Sequence, residues 1–291
     1  MRSPLQAWRR RLWQPDPAAL AAFEALRPVT VVTGGSEGIG FELARRFASA
    51  GHDLLLVARH RERLEHAAAQ IKAESKVDVA VAAIDLTSEN ATAELDAALS
   101  SGRAYADIVV NNAGIGLAGP FEKARVPDVL QLIDLNVRAL TALTLHYLPG
   151  MLTRGRGGIL NVASLGGYVP GPNQAAYYAS KAYVLSLTEA VAAEVAGRGV
   201  RVCALAPGPV NTAFHARMGA ETAFYRAFVP PASATAVARA GYLGFLLGLR
   251  VTIPGVINPF LAIAMRILPH RIVIPIVGWL LRPRESTPQN A

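Results

Sequence analysis

Cysteine occurs once in the 291 residues, at Cys203, so no internal disulfide can form, and its place inside an apolar run marks a buried thiol rather than a nucleophile. The six histidines show no ligand spacing and no paired cysteine exists, which argues against a structural zinc. Aromatic residues make up 7% and are not interleaved with basic clusters, so no nucleic-acid groove is expected. A secretory signal is also missing from the expected pattern. Arg9 to Arg11 and Pro15 are not followed by a compact apolar segment and a small-residue cleavage site.

The body of the chain lacks an excess of either charge. The formal excess of +8 resides at the two ends: Arg2, Arg9, Arg10, Arg11 and Arg27 against Asp16 and Glu24 leave +3, and six arginines from Arg239 to Arg284 against Glu285 leave +5. The basic pI therefore describes the termini and not a nucleic-acid surface. Residues 1–27 read as a basic N-terminal extension, disordered or loosely docked, although Trp8, Leu12 and Trp13 beside the arginines could touch lipid.

What is present begins at Pro28. Val29 to Thr33 is a β-branched run followed at once by Thr33-Gly34-Gly35-Ser36-Glu37-Gly38-Ile39-Gly40 and an amphipathic helix ending near Gly51. Glycines there permit a tight turn and a close approach of backbone to a pyrophosphate, which would rest on the amides of the helix N-terminus. The next strand, Asp53 to Val57, ends at Ala58-Arg59. An acid at that point would bind ribose hydroxyls, whereas a base accommodates a 2′-phosphate. The reading is NADP(H), with Arg59 as phosphate ligand and Arg63, one turn on, as either a helper or a solvated helix face.

Further strand and helix units follow: Val77 to Ile84 ending at Asp85-Leu86, a helix over Ser88 to Leu99, and Asp107 to Val110 running into Asn111-Asn112-Ala113-Gly114. A long apolar helix over Asp128 to Leu148 contains Asn136, an amide that either relieves a backbone kink or holds a water. Ser164, at the end of the apolar run Gly158 to Ala163, precedes Tyr177 and Lys181, which lie one turn apart on one helix face. An ammonium beside a phenol, whose ordinary pKa is about 10, favours the phenolate and suits it to proton exchange near neutrality. The Ser164 hydroxyl could then hold a carbonyl oxygen while Tyr177 protonates it.

The strand Val200 to Leu205 is stopped by Pro207-Gly208-Pro209-Val210-Asn211-Thr212. Phe214, Met218, Phe224, Tyr225 and Phe228 follow, as a lid over an apolar substrate or as ordinary helix packing. A helix over Ala234 to Leu249 and a short strand over Arg250 to Ile253 complete the alternation. Gly244 and Gly248 form a GxxxG in a setting shorter than the ~20 residues of a bilayer span.

Taken together, the glycine string at Thr33 to Gly40, Asn111 to Gly114, Asn136, Ser164, Tyr177 with Lys181, and the Pro207 to Thr212 segment resemble a short-chain dehydrogenase/reductase. The resemblance covers residues 28 to about 256. It implies a single Rossmann-like α/β domain, a doubly wound parallel sheet flanked by helices. It also implies an NADP-dependent enzyme interconverting a lipophilic ketone or aldehyde and its alcohol. Tyr177 would be the general acid or base; Lys181 would hold the nicotinamide ribose and depress the tyrosine pKa; Ser164 would orient the carbonyl; Asn136 would keep a water in a relay to Lys181. Gly34, Ser36, Gly38, Ile39 and Gly40 would line the pyrophosphate, Asp85 and Leu86 the adenine, Asn112, Ala113 and Gly114 the adenosine side, and Pro207, Gly208, Val210 and Thr212 the nicotinamide. A homodimer or homotetramer is the family expectation.

The alternative is a catalytically silent dinucleotide-binding scaffold or a membrane-associated regulator. Such proteins usually lose the tyrosine or the lysine, and both are present. The chain departs from the commonest pattern after its last strand, where Pro254-Gly255 leads into an apolar and basic extension, residues 257–291. Prolines at 259, 269 and 275 and Arg266 and Arg271 interrupt that extension, so it is a poor spanning helix. Two readings stay open: an element resting on anionic lipid, or an apolar flap over the substrate cleft or a subunit contact. The expected location is cytoplasmic, peripheral to a membrane on the first reading.

Overall fold

The structure, a computed structural model, describes residues 17–220 and 230–282. Among these, the β-branched runs form seven strands: β1 (Arg27–Thr33), β2 (Asp53–Ala58), β3 (Val79–Ala83), β4 (Ala104–Asn111), β5 (Gly157–Val162), β6 (Val200–Leu205) and β7 (Val251–Thr252). All pair in parallel, in the order β3-β2-β1-β4-β5-β6-β7. Leu54 to Val57 of β2 are buried without alternation, the signature of a strand covered on both faces.

Helices supply the cover. On one face lie α2 (Gly38–Ser49) and α3 (Arg61–Glu74), through Leu43, Phe47, Leu64 and Ile71. The chain order continues with α4 (Ala91–Ser101), α5 (Val126–Ile133), α6 (Leu140–Arg154) and α7 (Ala175–Glu194). The opposite face is covered by Leu95 and Leu99 of α4 and Leu143 and Met151 of α6, with α7 adding Val184 and Leu185. Beyond β6 come the short α8 (Phe214–Arg217) and α9 (Ala234–Leu247), whose Tyr242 and Phe245 join the first face. The chain leaves the adjacent strands β1 and β4 in opposite directions, and the crevice at their carboxyl ends is where such sheets bind ligands.

Several expectations need correction. The helix predicted over Asp128 to Leu148 runs from Val126 to Arg154 and is broken by a π-helical turn over Asp134–Ala139, between α5 and α6. The final strand is only Val251–Thr252. The N-terminal extension is not wholly a loose tail: Pro17–Glu24 forms a helix, α1 of the N-terminal side, and β1 already begins at Arg27. Phe23 packs edge-on against Tyr105 at 5.2 Å, and the buried Arg154 guanidinium lies 4.5 Å from the centroid of each ring. Cation and aromatic faces attract most where water is excluded, so this contact docks the helix. Trp8, Leu12 and Trp13 lie outside the described residues.

The C-terminal extension also folds. Asn258–Ile267 (α10) and His270–Leu280 (α11) lie over the turn that follows β5, where Val273, Val277 and Leu281 pack with Val169, Tyr178 and Met265. Among the described residues no helix is long and apolar enough to cross a membrane.

Beneath the crevice a polar chain threads the core. The Asn111 amide donates to Asn161 Oδ1 at 2.9 Å and to Thr144 at 3.2 Å, and Asn161 donates to Thr188 at 2.9 Å. These groups are buried, and the bonds among them offset much of the cost of that burial, although Asn111 Oδ1 has no partner among the described residues. They tie β4 and β5 to α6 and α7, the elements that carry the residues of the crevice.

Candidate active site

The glycine string forms the turn between β1 and α2. Gly34 and Gly38 sit at φ +63° and +60°, a conformation that favours glycine. A Cβ at Gly40 would collide with the Gly34 carbonyl and the Asn112 amide, so only glycine lets α2 start this close to β1. The loop is clamped from the side by the β4 end. Thr33 Oγ1 accepts from the N–H groups of Asn112 (3.0 Å) and Ala113 (3.1 Å), while the Asn112 amide donates to the carbonyls of Thr33 (3.0 Å) and Gly34 (3.1 Å). Asn112 is thus a clamp on the glycine loop as well as a wall of the crevice.

At the end of β2, Arg59 and Arg63 are exposed and border the cleft, while Arg61 between them turns to Glu65. Asp85 lies on the same rim. Its carboxyl is held below the usual range chiefly by the Thr87 N–H it accepts, with burial opposing and the Thr87 hydroxyl and Arg59 adding to the effect.

Across the cleft, Asn173 at φ +63° turns the chain into α7, a left-handed position that asparagine tolerates. That start fixes Tyr177 and Lys181 on one face. The Lys181 ammonium lies 5.8 Å from the Tyr177 ring centroid and donates to the Val162 carbonyl at 2.8 Å. Lysine and tyrosine therefore share one compartment, as their spacing predicts. Burial alone brings the Lys181 pKa down from the ordinary 10.5 to about 8, so the ammonium stays charged near neutrality. Ser164, just past β5, accepts the Gly166 N–H at 3.1 Å and stands in the same cleft.

Asn136 sits on the π-helical turn, but its amide does not serve its own helix. It accepts from the Ile115 N–H at 2.9 Å and donates to the Ile115 carbonyl at 2.8 Å and to Ser180 at 3.2 Å. The loop after β4 is thereby pinned to α7. Gly114 is wedged into this joint: a Cβ there would lie 3.1 Å from Asn136 Oδ1 and 3.6 Å from Lys181 Nζ.

One cleft of about 1010 Å³ is lined from Arg59 and Asp85 through Gly34, Ser36, Gly38 and Ile39 to Ser164, Tyr177, Lys181 and the Pro207 to Thr212 segment, while Gly40 and Asn136 are buried behind its wall. Of the predicted lid, Phe214 packs its ring 5.6 Å from that of Tyr177, and the buried Met218 lies against Gly116. Phe224, Tyr225 and Phe228 fall outside the described residues. Sequence reasoning missed Arg217, which ion-pairs with Glu37 and so ties α8 to the glycine loop. Leu261 and Met265 of α10 and Val277 and Leu280 of α11, in the extension expected either to rest on lipid or to close the cleft as an apolar flap, form an apolar wall of the cleft. Their signal was present as the helical spacing of Leu261 and Met265.

A family model described as short chain dehydrogenase matches residues 28–223. An NADP-dependent 3-hydroxy acid dehydrogenase of Salmonella typhi is 36% identical over 184 residues, covering 63% of this chain and 73% of that protein. Among solved structures, a short-chain dehydrogenase from Sphingobium yanoikuyae in complex with NADPH is similar at a TM-score of 0.73 and 34% identity, over 81% of this chain and 91% of that one. The bulky-bulky ketone specific alcohol dehydrogenase from Comamonas testosteroni is similar at a TM-score of 0.67 and 30% identity, over 80% and 87% of the two chains.

Proposed function

Since the chain belongs to the short-chain dehydrogenase family, we propose that it is an NADP(H)-dependent oxidoreductase interconverting a lipophilic ketone or aldehyde and its alcohol. The observation that carries this reading is the buried Lys181 ammonium beside the Tyr177 ring, in a cleft whose other end is the glycine loop.

The residues fit the cofactor. The left-handed glycines leave room for a pyrophosphate at the N-terminus of α2, and Arg59 and Arg63 offer charge for a 2′-phosphate where no acid competes at Ala58. Asp85 and Leu86 would border the adenine, Ala113 and Gly114 the adenosine side, and Val210 and Thr212 the nicotinamide. When bound, NADPH supplies the hydride that reduces the carbonyl carbon.

The remaining chemistry belongs to the chain. Ser164 donates to the carbonyl oxygen, and Tyr177 gives it the phenolic proton, so the products are a neutral alcohol and a phenolate. Lys181 stabilises that phenolate, and the burial of the lysine strengthens the attraction by limiting water around its charge. In oxidation the phenolate takes the proton back from the alcohol. Asn136 holds Ile115 and Ser180, fixing the wall beside Lys181 and the place for a relay water. The apolar wall of Leu261, Met265, Val277 and Leu280 supports a lipophilic substrate. Exposed Val126, Leu130 and Leu145 on α5 and α6, with Tyr183 on α7, support assembly as a homodimer or homotetramer.

Following NADPH consumption over ketones of rising chain length tests the reading. We expect turnover to rise with apolar length and Tyr177→Phe to lose it by about 100-fold or more. No turnover on any ketone, or equal turnover in the variant, would sink the proposal.

A further inference from the structure

The two C-terminal helices are apolar on both sides. Leu261 and Met265 of α10 and Val277 and Leu280 of α11 face the cleft, yet the opposite stripes are apolar as well. Phe260, Ile263 and Ile267 recur at helical spacing along α10, and Ile272, Ile276 and Trp279 do so along α11. These six side chains are between 47% and 74% exposed. A helix that packs on its own domain with one side should be polar on the other, and these are not.

The charge around the stripes identifies the occupant. From residue 230 to residue 282 the chain contains Arg239, Arg250, Arg266, Arg271 and Arg282 and no aspartate or glutamate. Arg266 and Arg271 are exposed at the junction of the two helices. A second copy docked on this face about a two-fold axis would bring arginines towards arginines, with no acid between residues 230 and 282 to pair them. A bilayer with anionic headgroups offers both the apolar phase and the countercharge. Neither helix can span it, which leaves insertion parallel to the surface.

We propose that the outer face of α10 and α11 seats the protein on an anionic lipid surface, so that the wall of the cleft and the membrane contact are two sides of the same helices. This surface is independent of the redox reading and would stand without it. A lipophilic compound dissolved in the bilayer would then meet the cleft without crossing bulk water.

Flotation of the full-length protein with phosphatidylcholine vesicles, with and without phosphatidylglycerol, tests the proposal. The protein is expected to float with the anionic vesicles and to be released by high salt. The double variant Arg266→Gln/Arg271→Gln should partition roughly 30-fold more weakly, at about five-fold per arginine. Ile263→Glu/Ile276→Glu should abolish flotation, while circular dichroism verifies that each variant is folded. Wild-type protein remaining unbound, or all three proteins floating alike, would overturn the assignment. So would a fall in sedimentation-derived mass in the folded variants without any wild-type flotation, which would assign the face to a second copy.

Discussion

Replacing Lys181 with methionine should change not only activity but the way stability depends on pH. Lys181 is 6% exposed, and burial sets its pKa at about 8 against the ordinary 10.5. Below about pH 8 both folded and unfolded chains carry the charge, so the folded state bears the full cost of burying it. As pH rises through about 8 the folded chain sheds its proton while the unfolded chain keeps one until about 10.5, and folding becomes more favourable. The gap corresponds to roughly 3 kcal/mol, of which about 2.5 kcal/mol should be recovered between about pH 7 and about pH 10. Methionine is similar in length and cannot titrate. Its loss of the bond to the Val162 carbonyl is an offset of about 1–3 kcal/mol that does not vary with pH. Urea denaturation of the cofactor-free wild type and Lys181→Met across this range isolates the lysine together with the Tyr177 phenol beside it, because the remaining titrating groups are common to both. The wild type should gain on the variant as pH rises. Curves that stay parallel within about 0.5 kcal/mol would refute the burial of a charged Lys181.

Gly114→Ala places a methyl between Asn136 Oδ1 and Lys181 Nζ, so kcat should fall by about ten-fold or more with little change in melting temperature, as steady-state kinetics and calorimetry would record. Arg59→Glu/Arg63→Glu should raise the KM for NADPH by about 100-fold and leave that for NADH nearly unchanged; an equal effect on both cofactors would exclude a 2′-phosphate role. Asn161→Ala removes the central member of the buried polar chain, leaving Asn111 and Thr188 short of a partner, and should cost about 2–4 kcal/mol in urea denaturation.

Residues close in sequence could be placed from the sequence, and residues joined only by the fold could not. Tyr177 and Lys181 share a helix, so their spacing alone put them on one face. The glycine string and the base after β2 were legible for the same reason, since each is a local turn with a local consequence. Asn136 was not: the sequence shows a polar residue in an apolar helix, but its partners are the backbone of Ile115 and the hydroxyl of Ser180, on other elements. Nor could the π-helical turn be seen, because one extra residue in a turn leaves the apolar periodicity almost intact. The C-terminal extension was ambiguous because both of its sides are apolar, and hydropathy cannot say which one a cleft will claim. The docking of Phe23 depends on Arg154 and Tyr105, distant in the chain, so a basic N-terminal segment gave no hint of it.

That last contact bears on where the domain begins. Family likeness starts at residue 28, and a shortened protein starting there would look complete by that standard. It would lose Phe23, leaving the Arg154 guanidinium with Tyr105 on one side and water on the other. Arg154 also donates to the Ala106 carbonyl at 3.0 Å, so the loosening would reach the strand that ends in Asn111. Packing therefore continues upstream of the conventional border, and a preparation trimmed to that border should melt earlier while its cleft remains chemically intact.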